Sequence, residues 1–483
     1  MMINMKQTWL ARLALAAVAA TALFLTSAAH AAVPGITGNS STANAFSLTA
    51  SADYTSQPDG AMIYSWGYGC AAGTTPAFAP ANFPGACPLM QTPGPTLILT
   101  QGQTYTVTLT DELPAAAGNT SILFPGLQVT TSGGVAGLLA QEAAPGTPVT
   151  YTITPPNPGT YAYYSGTRPD LQIEMGLFGA VIVYPATAPT CAPLVGATDR
   201  LSARAAYGVP ESCFEREYLF QLSEMSGPIH KAVEAQVRGA GPITAKTEPY
   251  WPNYYLVNGR SMPDDMDSPY TDYLPHQPYN ANPHLHPGER LLMRVIGVGR
   301  WQHPFHHHGN HIRVLARDGG LLLSQSDATK LAGPLLFTVP SVSGQTLDGI
   351  FEWTGQGLNW DVYGPTPHTC NGRAFGPAGQ SAGFDPTTYE YCPDHGKTFA
   401  DSNYTTPDAN IVANGLWYGG SPYLGNPGPG LPPGSDGVNP SAGYAYMWHS
   451  HDEREITTND VFPGGMMVML IVDHPSVTID EKQ

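Results

Sequence analysis

Apolar positions along the chain fall in short runs that alternate with polar residues or are continuously β-branched, and Gly or Pro closes each run. The segments Thr96 to Leu113 (TLILTQGQTYTVTLTDEL), Thr147 to Pro156, Gly176 to Pro185, Glu289 to Val298 and Gly464 to Pro475 therefore read as strands, because alternate residues of a strand face opposite sides and Gly and Pro punctuate it. Their order repeats. In the first half TQGQTYTVTLTDEL is followed by SILFPGLQV, PGTPVTYTITPPNPGTYAYYSG and MGLFGAVIV; in the second HPGERLLMRVIGVG is followed by HPFHHHGNHIRVL, SGQTLDGIFEWTG, AGYAYMWHSH and GGMMVMLIV. Two homologous Greek-key β-sandwiches account for this repeat and make the chain all-β. The expected limits are residues 32–188 for the first, 189–214 for a joining segment, 215–475 for the second and 476–483 for a tail. Residues 354–441 have no counterpart in the first half and are rich in Gly, Pro, Asn and aromatics; such length inside a domain points to a functional or covering loop.

Composition narrows the picture. With 53 Gly, 47 Pro and 12% charged residues among 483, the chain is turn-rich, and neither coiled coil nor wholesale disorder describes it. Residues 1–31 combine Lys6, Arg12, an apolar run and Ala29-His30-Ala31, the pattern of a secretory signal peptide. The mature protein is then periplasmic or secreted, without a transmembrane segment after cleavage. That leader carries two basic residues and no acid, so the formal charge moves from −17 to −19 on its removal, and nucleic acid is a poor partner. Six cysteines fall as sequence neighbours, Cys70 with Cys87, Cys191 with Cys213 and Cys370 with Cys392. Fifteen pairings are formally open; three local disulfides suit an exported chain and leave no spare thiolate.

The chemistry concentrates in histidine. HPFHHHGNH holds His303, His306, His307, His308 and His311, and WHSH holds His449 and His451. Residues two apart on a strand share a face, so His306 with His308, and His449 with His451, each present two imidazoles to one side. Two such pairs on neighbouring strands make a four-His metal site of a kind that suits Cu, Zn, Fe or Ni. His284-Leu285-His286 reads as solvated loop histidine.

These segments resemble the multicopper oxidases, whose domains are cupredoxins. HPFHHHG is similar to the family's HPxHxHG, WHSH followed by Gly465-Met466 is similar to its HCHxxxH…M, and LILTQGQTYTVTL, PGTYAYYSG and QIEMGLFGAVIVYP resemble its first domain. The resemblance implies two cupredoxin-like sandwiches with the loop-rich insertion in the second. It also implies copper, which the family holds through eight histidines in four His-x-His pairs, two of them from the first domain.

The departures limit what carries over. The first-domain pairs are replaced by Leu123-Phe124-Pro125-Gly126 and Tyr164-Ser165-Gly166, the thiolate position is Ser450, and Glu455 stands where a histidine belongs. His303, Glu455 and Met466 are left as a possible second, oxygen-rich metal site. The implied protein is an exported copper-binding protein, an oxidoreductase if it is active, with fewer than four copper ions and a reduced site on His306, His308, His449 and His451; full laccase-type O2 reduction is not expected. Its partners would be the metal ion and a small-molecule or metal-ion reductant, and a homo-oligomer is open because two-domain relatives use subunit interfaces. The alternative is a non-catalytic, copper-free cupredoxin scaffold.

Overall fold

The computed structural model describes residues 33–80, 85–191, 204–363, 367–372, 383–385, 388–397, 417–422, 444–473, 477 and 479. The expected signal peptide, part of the joining segment, much of the insertion and most of the tail lie outside the described residues. Among the described residues no helix is long and apolar enough to cross a membrane.

The repeat read from the sequence reappears as sheet order. In the first half the strands Met62–Cys70, Ala45–Ser56, Tyr105–Asp111, Val149–Ile153 and Val129–Gly133 lie side by side in that order. In the second half Tyr254–Val257, Arg216–Met225, Arg290–Gly297, Thr346–Glu352 and Ile312–Arg317 follow the same order within a seven-stranded sheet. In both, the second strand pairs parallel with the third and the third antiparallel with the fourth. The opposing sheets match as well. Gly159–Tyr164 pairs antiparallel with Phe178–Tyr184, which pairs parallel with Leu97–Thr100; Tyr444–Ser450 pairs antiparallel with Met467–Val472, which pairs parallel with His284–Leu285.

Alternation decides which faces are covered. Tyr105, Val107 and Leu109 are buried in the first core while Thr106, Thr108 and Thr110 are only half-buried. Phe178–Tyr184 has no such alternation because both its faces are covered. Val181 and Val183 point into the first core, and Ala180 and Ile182 pack with Leu219, Ile296 and Val298 of the second half. The halves are tied further by the helix Gly227–Arg238, whose Ile229 and Val233 join the first core.

A buried polar network crosses the same junction. Arg294 Nε donates to Glu217 Oε1 at 2.6 Å, Arg294 Nη1 donates to Thr160 Oγ1 at 2.7 Å, and Thr160 Oγ1 donates to Asp348 Oδ1 at 2.6 Å. Tyr207 donates to the other Asp348 oxygen, and Tyr184 to Glu217 at 2.6 Å. Burial opposes the Arg294 charge, but Glu217 and Asp348 outweigh it and hold the guanidinium above its ordinary pKa. All three cysteine pairs are disulfides between sequence neighbours, as expected.

Candidate metal centre

Two adjacent strands of the second half, His303–His307 and Tyr444–Ser450, run antiparallel with Phe305 opposite Ser450, His306 opposite His449 and His307 opposite Trp448. The period of two sorts their side chains. His303, Phe305, His307, Trp448 and Ser450 turn to the buried side and are at most 1% exposed. His306, His308, His449 and His451 come together on the other side.

Ring centroids of His306 lie 4.9 Å from His308, 5.6 Å from His449 and 5.1 Å from His451. Those of His449 lie 5.2 Å from His308 and 5.8 Å from His451. Hydrogen bonds fix which nitrogen points inward. His308 Nδ1 donates to Gly419 O at 2.9 Å, and His449 Nδ1 donates to Ser450 O at 2.7 Å. A carbonyl can only accept, so in the neutral rings both Nε2 atoms carry lone pairs. Those two Nε2 atoms face each other at 3.3 Å. His306 is held by Nδ1 against Thr338 Oγ1 at 2.9 Å. Burial, then the neighbouring imidazoles, lower His306 to about 4, and burial also lowers His308 and His449. The rings are therefore neutral near pH 7, the form that ligates metals. Two nitrogens bound to one first-row ion at about 2.0–2.1 Å stand roughly 3.3 Å apart in tetrahedral geometry, so His308 and His449 fit such an ion, with the His306 and His451 rings beside them.

The insertion reaches this cluster. Tyr418 donates to His307 O at 3.1 Å, Gly309 N donates to Tyr418 O at 2.9 Å, and Gly420–Pro422 pairs with the edge of Tyr444–Ser450. Gly309 makes the turn after the histidines at φ 101°, where a Cβ would stand 3.1 Å from the Tyr446 ring; a side chain there would meet both backbone strain and the ring.

The same construction stands in the first half without ligands. Leu123 and Tyr164 are bridge partners, their backbones exchanging hydrogen bonds of 2.7 and 3.2 Å. They match His306 and His449 in the aligned segments. Gly126 repeats Gly309 at φ 80°, with Tyr161 in place of Tyr446 at 3.1 Å from a would-be Cβ. The backbone frame is kept, and Leu123, Pro125 and Gly166 offer no ligand atom.

The trio His303, Glu455 and Met466 turns out otherwise than a metal site requires. His303 and Glu455 do meet, at 2.9 Å through Nδ1, but the other ring nitrogen lies 2.9 Å from Glu224, which the sequence did not single out. Ser450 donates to Glu455 at 2.5 Å. Burial disfavours charge on His303, yet hydrogen bonds and charge from Glu224 and Glu455 prevail and raise it to about 9. The two flanking carboxylates thus favour the protonated ring over a metal-ligating one. Met466 is fully buried in the hydrophobic core. His286 is also not solvated: it is 1% exposed beside the Arg216–Glu289 ion pair, with Nε2 2.7 Å from Val477 O. His284 Nδ1 meets Asp473 at 2.6 Å. His307 is buried, its two nitrogens have no hydrogen-bond partner among the described residues, and burial lowers it to about 3.

Sequence reading passed over one further group. Asp361, His368, Glu390 and His395, all in the insertion, bring their ligand atoms within 4.8 Å of one another. No His-x-His spacing signals them.

Residues 90–188 match the family model of the multicopper oxidases. A comparison with curated proteins finds no match. Among solved structures, the blue copper oxidase from Nitrosomonas europaea is similar at 15% identity and TM-score 0.47, covering 88% of this chain and 85% of that one. The multicopper oxidase mgLAC has 15% identity and TM-score 0.49, over 90% and 87% of the two chains. A copper nitrite reductase from Nitrosomonas europaea has 14% identity and TM-score 0.44, over 91% and 98%. Likenesses this distant carry no argument about ligands or chemistry.

Proposed function

We propose that this chain is an exported copper-binding protein that holds a thiolate-free copper site on His306, His308, His449 and His451. The carrying observation is the 3.3 Å approach of the His308 and His449 Nε2 atoms, each a lone pair in the neutral ring. Two facing lone pairs repel, and a cation between them removes the repulsion. Copper bound there supplies a one-electron couple suited to phenols, Cu(I) or other reduced metal ions. The protein's part is to keep His306, His308 and His449 neutral, to set the tautomers of His308 and His449 through Gly419 O and Ser450 O, and to hold His306 on Thr338. Reduction of O2 by four electrons is not part of this reading, since Leu123 and Tyr164 stand at first-half ligand positions and Ser450 supplies no thiolate.

The test is the metal content of the exported protein from copper-supplemented cells, by elemental mass spectrometry, with the visible spectrum of the same sample. At least one but fewer than four coppers per chain without an intense blue band is expected, and His306→Ala with His449→Ala should remove that copper while the sandwiches stay folded. A second reading, a copper-free scaffold, is favoured by the emptied first-half positions. Absence of copper after reconstitution would establish it over the first.

A further inference from the structure

The insertion contains a polar cluster unrelated to the four-His face. Asp361 and Glu390 are 4% and 2% exposed at their side chains, His368 and His395 25% and 33%. His368 Nε2 lies 3.1 Å from Glu390 Oε2 and 3.6 Å from Asp361 Oδ2. His395 Nδ1 lies 2.6 Å from Glu390 Oε1 and 3.6 Å from Asp361 Oδ2. The two imidazoles stand edge to face at 4.7 Å. Both carboxylates therefore lie against both rings, and one ligand atom from each of the four residues lies within 4.8 Å of the others.

The surrounding backbone holds this arrangement in place. Asp361 Oδ2 accepts from Gly396 N at 2.8 Å and Oδ1 from Tyr363 N at 2.9 Å, while Asp361 N donates to Lys397 O at 2.9 Å. Beside it, the Cys370–Cys392 disulfide joins the two segments that carry the histidines. Burying two carboxylates together is costly unless positive charge compensates. A divalent ion does so, and the four ring-to-carboxylate separations, from 2.6 to 3.6 Å, straddle the roughly 3.3–3.5 Å edge of a tetrahedral site with bonds of about 2.0–2.2 Å. With both nearby sulfurs in a disulfide, the donor set is two nitrogens and two oxygens, which suits a borderline divalent ion over Cu(I).

We propose that Asp361, His368, Glu390 and His395 form a second metal site, for a borderline divalent ion of the Zn2+ class, that clasps the insertion together. It draws its ligands from both sides of the Cys370–Cys392 pair and does not depend on the copper reading. An ion there fastens residue 361, at the root of the insertion, to the loop 388–397, in a stretch rich in Gly and Pro.

The test uses the full exported chain, stripped with a chelator and titrated with Zn2+ by calorimetry in the His306→Ala/His449→Ala background, so that the four-His face does not contribute. One equivalent of Zn2+ is expected there, and adding His368→Ala and Glu390→Gln should abolish it. With Zn2+ at 100 times its Kd, proteolysis within the insertion should slow by about 100-fold, as opening is suppressed by mass action. Should the combined variant fail to fold, Co2+ added to the His306→Ala/His449→Ala protein reads the site directly, since tetrahedral Co2+ shows visible d–d bands and His395→Ala should remove them. Absence of Zn2+ binding in the first background, or binding unaltered by the insertion substitutions, overturns the proposal.

Discussion

His303 and Glu455 lie 2.9 Å apart in the buried interior, with Glu224 2.9 Å from the opposite ring nitrogen. Two carboxylates therefore flank the ring where the resemblance to multicopper oxidases would place a metal, and together they favour its protonated form.

That group makes stability fall with alkali. His303 is raised from about 6.5 unfolded to about 9 folded, so the folded state binds its proton more tightly. The resulting stabilisation is fully present below pH 6.5 and is lost as pH rises through 9. For a fully buried group it amounts to an order of 3 kcal/mol. Denaturant unfolding at about pH 6, 7.5 and 9 should show the decline, and His303→Gln should flatten it. A wild-type profile level over this range would contradict the ionic assignment.

Restoring the sulfur alone should not restore a blue site. Ser450 is hydrogen-bonded to Glu455 at 2.5 Å, so a thiolate there would face a carboxylate, and His303 would still hold its proton. Ser450→Cys is expected to show no intense blue band on copper addition. A band in this single variant would mean that His303 readily exchanges its proton for the metal.

Copper retention should extend to unusually acid conditions. The His306 ring is lowered to about 4, and His308 and His449 are lowered as well, so protons compete with the metal only at low pH. Dialysis against buffers of falling pH should leave copper bound at about pH 5.5 and release it towards pH 4. Release centred near the ordinary imidazole value of about 6.5 would go against the geometry.

The junction between the halves should fail when its cation is removed. Arg294 binds Glu217, Asp348 and the first-half hydroxyl of Thr160. Arg294→Ala leaves two buried carboxylates without their partner, at a cost of about 3–5 kcal/mol. Calorimetric unfolding should shift down sharply in temperature, whereas Arg313→Ala, at an exposed position, should shift little.

Much of this protein was determined by sequence alone, because the governing rules are local. Alternation marked the strands, the repeated order of segments reappears in the order of the sheets, and the period of two placed His306 with His308 and His449 with His451 on common faces. Neighbouring cysteines paired as expected. What only the tertiary structure decided depends on pairs distant in sequence. The register setting His306 opposite His449 is fixed by sheet pairing, and Glu224 reaches His303 from another sheet across 79 positions. That unseen carboxylate favours the protonated ring over a metal-ligating one. Residues 361, 368, 390 and 395 lie in loops, where no period relates spacing to direction, so their convergence arises only from how the insertion folds back beside the Cys370–Cys392 bond.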